Sequence, residues 1–263
     1  MTETPNLHRA YVASSHGQLH YVECGSGEPV LLLHQTPRSW TEYLDVLPLV
    51  GRSCRAIAMD TLGFGASARP EGPHSVERWA DAAEELLDAL GVDRFHLVGH
   101  HTGGVIAVEL AARLRERVAS LLLSGTPFID DEKRAEDQRD PVDLVVPAPD
   151  GSHLQELWNR RREFYRPGEE AAMNRFIIDA LGVLDRIEEG HEAVHRSMLD
   201  RRLAEVTART LAICAQDDRY SLPALEKFAA LSIETRIVPG GHVPLPEQQP
   251  ERFAAIVTQW AAG

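Results

Sequence analysis

Gly99-His100-His101-Thr102-Gly103 holds the most chemically suggestive spacing in the chain. It follows an apolar run, Phe95-His96-Leu97-Val98, that reads as a buried strand. It precedes Val105 to Arg113, a stretch rich in helix formers. Strand, glycine-lined turn and helix is the setting of the nucleophile elbow, G-x-S-x-G, in which a sharp turn lifts a reactive side chain clear of a sheet. Gly99 and Gly103 fit that pattern, and His101 stands where the serine belongs. An imidazole there has three uses. It can attack a carbonyl and form an acyl-imidazole, it can move protons, or it can hold a ligand without turnover. The positive end of a helix starting at Thr102 disfavours imidazolium, so His101 is expected neutral.

Such a turn needs a rigid frame, and the sequence outlines one. Residues 8–22 alternate apolar and polar around Ser15-His16-Gly17, the pattern of an antiparallel hairpin. Pro29 to His34 and Arg55 to Asp60 are nearly continuous apolar runs, as in strands covered on both faces of a parallel sheet. Trp40 to Val50 has helical spacing, and Val76 to Leu90 is an amphipathic helix closed by Gly91. After the elbow and a helix over 103–115, Ala119 to Leu123 is a further short strand. From 128 to 206 the rhythm changes. Asp130 to Asp140 is a charge run read as a solvated loop or exposed helix, and helices are expected near 152–165, 169–181 and 184–204. Alternation then resumes with a strand at 210–214, a helix at 222–231, a strand at 235–238 and a helix at 250–261. That order predicts an α/β architecture with a mostly parallel sheet and a helical insertion.

Composition narrows the partners. With 27 basic and 40 acidic residues the net charge is −13, which argues against nucleic acid or anionic membrane. No apolar run approaches the ~20 residues of a membrane span, and the polar start shows no signal peptide. Three scattered cysteines, Cys24, Cys54 and Cys214, lack any C-x-x-C spacing and are expected to be buried reduced thiols. A cytoplasmic address follows. The expected partners are a small-molecule substrate and at most a second copy of the chain in a homodimer. No cofactor and no metal are expected.

Five separated stretches together resemble the α/β-hydrolase family in its cap-bearing form: "LLLHQTPRSW" (31–40), "AMDTLGFGASARP" (58–70), "VGHHTGG" (98–104), "CAQDDRYSLP" (214–223) and "VPGGHVPLPEQQPERF" (238–253). The resemblance implies an eight-stranded, mostly parallel sheet flanked by helices, with core residues 1–127 and 207–263 and an inserted helical cap at 128–206. It implies that His242 is the general base and that Asp218, with Asp217 as rival, orients it. It implies an oxyanion hole from the N–H groups of Thr102 and of the turn after His34, at Gln35 or Thr36. The Thr36-Pro37 bond is permitted to be cis. His34, Trp158 and Tyr165 are expected to line the substrate site, with Leu154, Leu157, Trp158, Arg161 and Tyr165 on one face of a cap helix. The leading expectation is hydrolysis of an ester, lactone or C–C bond by water that His242 and Asp218 activate, with His101 in place of the serine. Lyase, cyclase or cofactor-free oxygenase chemistry on the same pair is the alternative, and a silent receptor a second. A 2-His-1-carboxylate metal set from His101, His242 and a carboxylate is the remaining option.

Overall fold

The computed structural model describes residues 6–136 and 141–263. Eight strands form one sheet: β1 (His8–Ser14), β2 (Gly17–Cys24), β3 (Pro29–Leu33), β4 (Arg55–Met59), β5 (Phe95–His100), β6 (Val118–Ser124), β7 (Arg209–Ala215) and β8 (Glu234–Val238), in the order β1-β2-β4-β3-β5-β6-β7-β8. β2 is antiparallel to both its neighbours, and β3 to β8 run parallel.

The apolar runs follow from the sheet having two cores. In β3, Leu31 and Leu33 point into one hydrophobic cluster while Val30 and Leu32 point into the other. β4 repeats this with Ile57 and Met59 against Ala56 and Ala58. Side chains that alternate across a sheet must all be apolar when both faces are covered, and each large one so buried contributes about 2 kcal/mol.

Helices α1 (Leu47–Val50) and α11 (Pro250–Ala262) cover the second face, through Leu47, Val50, Phe253 and Val257. Helices α2 (Val76–Ala89) and α3 (Thr102–Arg113) cover the first, through Trp79, Leu86, Val105 and Leu110. Ser75 caps α2 by accepting the Arg78 N–H at 3.2 Å. The helix expected over Trp40 to Val50 is instead a 3₁₀ turn at Trp40–Tyr43 followed by α1. Pro48 is the reason: in a continuous helix it lacks an N–H and clashes one turn back, whereas near the start of α1 it fits.

Between β6 and β7 lie α4 (Asp131–Arg134), α5 (Ser152–Arg161), α6 (Glu170–Leu181), α7 (Ile187–His195) and α8 (Leu199–Leu203). The helix expected at 184–204 is broken into α7 and α8 at residues 196–198. There the Ser197 carbonyl accepts Arg134 at 2.9 Å and Asp200 N–H donates to the Ile129 carbonyl at 3.2 Å, tying the turn to the segment leaving β6. Part of the Asp130 to Asp140 charge run, 137–140, lies outside the described residues. α9 (Ala224–Ala230) and α10 (Leu245–Gln248) complete the chain. All three cysteines are buried and none is in a disulfide. Among the described residues no helix is long and apolar enough to cross a membrane.

Candidate active site

β5 delivers the chain to the elbow at the edge of α3. His101 has φ 47° and ψ −112°, a backbone conformation that costs on the order of 1–3 kcal/mol outside glycine. Its N–H donates to the Ser124 carbonyl at 2.9 Å and its carbonyl accepts Gly104 N–H at 2.9 Å, so the surroundings hold the strained turn in place. Gly103 is required because a Cβ there would run into the Leu33 backbone carbonyl.

The imidazole of His101 does not stand free. Its Nε2 lies 3.2 Å from Asp218 Oδ2, an ion-pair distance, although the N–H is not aligned for a hydrogen bond and Nε2 is otherwise without a partner. Its Nδ1 lies 3.4 Å from Ser221 Oγ. Gly125 lies beside this contact and must stay without a side chain: a Cβ there would sit 2.7 Å from His101 Nε2 and 3.2 Å from Asp218 Oδ2. Asp218 is 1% exposed, and its Oδ1 accepts the N–H groups of Tyr220 (3.2 Å) and Ser221 (3.1 Å). Burial pushes this carboxyl up, but His101 beside it and the Ser221 N–H outweigh that and hold it down at about 2. Asp218 is therefore a carboxylate at neutral pH.

The expected pairing of Asp218 with His242 is thus replaced. Asp218 faces His101, while His242 accepts the Val243 N–H at Nδ1 (2.8 Å) and packs edge-on against Phe164, ring centres 5.1 Å apart. A serine hydroxymethyl at the apex is too short to reach the acid, and an imidazole reaches it. With Nδ1 an acceptor, neutral His242 carries its proton on Nε2, and burial holds its pKa below the usual histidine range.

The oxyanion expectation also needs correction. Gln35 N–H donates to Glu42 Oε2 (3.0 Å) and the Gln35 side-chain amide donates to Glu42 Oε1 (2.6 Å). Thr36 N–H donates to Thr102 Oγ1 at 3.2 Å. The backbone N–H and one side-chain N–H of Gln35 are taken up by Glu42, whose carboxyl burial raises to about 7. Thr102, as first residue of α3, keeps a backbone N–H that no turn of the helix uses. The Thr36-Pro37 bond is cis.

His34 is not a free lining residue either. Its Nδ1 faces the Gln35 carbonyl at 2.8 Å and its Nε2 accepts Thr61 N–H at 2.9 Å, so it staples two turns together. Tyr165 donates to Glu247 Oε2 at 3.2 Å and packs against the core. Trp158 is half-buried, and of its expected helix face Leu157 and Arg161 are buried while Leu154 is 44% exposed. Tyr165 itself lies beyond the end of α5. His100 braces the site: its ring bonds Ser124 and, at 2.8 Å, the Val243 carbonyl. Among the described residues no group of three or more His, Cys, Asp or Glu side chains is placed to hold a metal ion.

One cluster went unread in the sequence. Arg38, wholly buried, donates to Asp179 of α6 (3.0 Å) and to Glu247 of α10 (2.5 Å). Arg175 also reaches Glu247, at 3.2 Å. The turn after β3, the inserted helices and the loop after His242 are thereby tied at one guanidinium. Gly190 of α7 lies over the same turn, since a Cβ there would be 2.9 Å from Thr36 Cγ2.

The buried imidazoles set the acid response. Burial holds His34 below the usual range, His100 well below it and His74 at about 4. Below about pH 6.5 the unfolded chain binds protons at these rings that the folded chain refuses, so stability is lost as pH falls. Glu42 works the other way, taking up a proton in the folded state between about 7 and 4.5. Three imidazoles, with His242 acting in the same direction, outweigh one carboxyl. Thermal midpoints are expected to drop steadily from pH 6.5 to 4.5, at about 1.4 kcal/mol per pH unit for each net proton. A flat profile across that range would contradict the burial of these rings as neutral species.

The sheet order, the elbow and an acid on the loop after β7 define an α/β-hydrolase architecture. A family model described as the alpha/beta hydrolase family matches residues 30–256, and the chain belongs to that family. Haloalkane dehalogenase 2 of Mycobacterium tuberculosis is 37% identical over 116 residues, 44% of this chain and 41% of that protein. The 2-hydroxy-6-oxo-2,4-heptadienoate hydrolase of Pseudomonas putida is 39% identical over 107 residues, 39% of each chain. These matches span about two-fifths of the relatives' length. A hydrolase from Pseudomonas aeruginosa PA01 superposes with TM-score 0.79 over 97% of this chain and 98% of its own, at 24% identity, which speaks to fold.

Proposed function

We propose that the protein hydrolyses a carbonyl-containing bond (ester, lactone or C–C) of a small, largely apolar substrate, with His101 and Asp218 as its base pair. The observation that carries this is the elbow-mounted imidazole 3.2 Å from an ionised, buried carboxylate. A histidine backed by a carboxylate keeps one nitrogen protonated and the other basic, which is what proton abstraction from a nucleophile requires. The N-terminal end of α3, with Thr102 N–H, supplies positive potential for a developing oxyanion. His242 supplies a neutral N–H donor, and the inserted helices act as a cap over the turn at Thr36. The relatives named as hydrolases agree with this class.

The test is acid release from short-chain p-nitrophenyl esters and simple lactones by the purified protein. Release is expected to fall to the buffer rate in His101→Ala; release that persists there would sink the assignment. Non-hydrolytic proton transfer on the same pair (lyase, cyclase or cofactor-free oxygenase chemistry) is favoured by one observation: Gln35 and Thr36 have committed the N–H groups a second oxyanion donor would need. Turnover in ¹⁸O-labelled water separates the two, since only hydrolysis puts the label into the acid product.

A further inference from the structure

We propose that Ser221 is the nucleophile of this site, so that a serine–histidine–aspartate triad is rebuilt with its histidine on the elbow and its serine on the loop after β7. This rests on the hydrolytic assignment above. His101 has two ring nitrogens, and each faces one group. Nε2 faces Asp218 Oδ2 at 3.2 Å, and Nδ1 faces Ser221 Oγ at 3.4 Å. An ionised carboxylate draws the ring proton to Nε2, which leaves the lone pair on Nδ1. Among the described residues, the hydroxyl proton of Ser221 is the one that lone pair is placed to take. A separation of 3.4 Å is loose, as nucleophile–base pairs often are before substrate binds.

The serine is held rather than incidental. Its own N–H donates to Asp218 Oδ1 at 3.1 Å, Leu222 N–H donates to the Asp218 carbonyl at 2.9 Å, and Ala224 N–H donates to the Ser221 carbonyl at 3.0 Å. Acid and serine therefore move as one turn. Gly125 leaves room for the His101–Asp218 approach, since a Cβ there would lie 2.7 Å from His101 Nε2 and 3.2 Å from Asp218 Oδ2. Phe164 packs on Tyr220 (5.8 Å between ring centres) and on His242 (5.1 Å), which brings the residue before Ser221 and the second imidazole to one aromatic wall. Ser221 is 3% exposed and Thr102 7%, while the His101 side chain is 16% exposed.

The chemistry balances without any added reagent except water. Ser221 Oγ bonds to the substrate carbonyl carbon, its proton passes to His101 Nδ1, and the carbonyl π pair moves onto oxygen. Collapse expels the leaving group, which takes the proton from His101. Water then adds to the acyl-serine, gives its proton to Nδ1, and Ser221 departs carrying that proton.

A fluorophosphonate probe tests this on the intact protein. The expected result is a single adduct on the tryptic peptide spanning residues 220–227, whose one serine is Ser221. The adduct should vanish in Ser221→Ala, with turnover down about a thousandfold. The backbone bonds of residue 221 survive that change, and the wild-type adduct needs no variant at all. No adduct, an adduct elsewhere, or turnover in Ser221→Ala within tenfold of wild type overturns the proposal. If Ser221→Ala stays active while His101→Ala is dead, the serine assignment alone fails. If His101→Ala also stays active, the hydrolytic base fails with it.

Discussion

Asp218→Asn is expected to lower kcat about 10⁴-fold on any substrate the protein turns over, the scale seen when a carboxylate behind a catalytic histidine is made neutral. The physical reason is local. Asp218 has no role in covering substrate; it is buried, ionised and in contact with His101 Nε2. An amide of the same shape keeps an acceptor for the Ser221 and Tyr220 N–H groups but removes the charge that makes the other ring nitrogen basic. It also offers an NH₂ to a nitrogen that should be donating, so the tautomer is driven the wrong way. Stability is a separate readout. The wild-type carboxylate contributes stability above the usual aspartate range and loses it as pH falls toward about 2, its folded value. Asp218→Asn is expected to lose that contribution at neutral pH while remaining folded. A rate within tenfold of wild type in a folded Asp218→Asn would mean that the acid does not serve the base.

What could be read from the sequence was whatever depends on local pattern. Both-faces-buried strands such as Val30-Leu31-Leu32-Leu33 announce themselves by unbroken hydrophobicity, and the elbow by glycines whose Cβ atoms have no room. The helix over 184–204 failed for a reason no window of sequence contains: Ser197 and Asp200 turn there to meet Arg134 and Ile129. The site failed in a similar way. Chain order places Asp218 ahead of His242, as a triad would have it, but says nothing of how far an imidazole at position 101 extends. Gln35 reads as an available donor because its acceptor, Glu42, stands seven residues further on and folds back to it. Ser221 carries a signal in hindsight, standing three residues after the acid in a turn that must bend back, but serine near aspartate is too common to single out. Arg38 is the hardest case. Nothing in its own turn marks it as buried, and its partners Asp179 and Glu247 lie 141 and 209 positions away.

That buried arginine carries the largest expected effect on stability. Arg38→Met removes one cation from contact with Asp179, Glu247 and, at 3.9 Å, Glu42. Breaking a buried pair by deleting one partner costs about 3–5 kcal/mol, because the remaining charge is left desolvated. The loss here is expected near the lower end. Glu247 retains Arg175 and Tyr165, and Asp179 retains the hydroxyls of Ser39 and Thr41. For a chain of this length, 3 kcal/mol corresponds to a drop in Tm of about 6–12 °C. The methionine itself packs acceptably against Phe176, over whose ring the guanidinium now lies 5.6 Å from the centroid, so lost volume is not the cause. The control is the charge-matched double variant, Arg38→Met with Glu247→Gln. Removing both signs together should recover much of the lost stability, by the coupling that neighbouring sites show and distant ones lack. Urea or thermal unfolding of the three proteins measures it. An Arg38→Met loss under 1 kcal/mol, or a double variant no better than the single, would mean the cluster is already screened by water. If the loss is as large as expected, the same guanidinium holds the turn beneath Gly190 and the loop beyond His242 in register, and any activity of Arg38→Met should fall well before the chain unfolds.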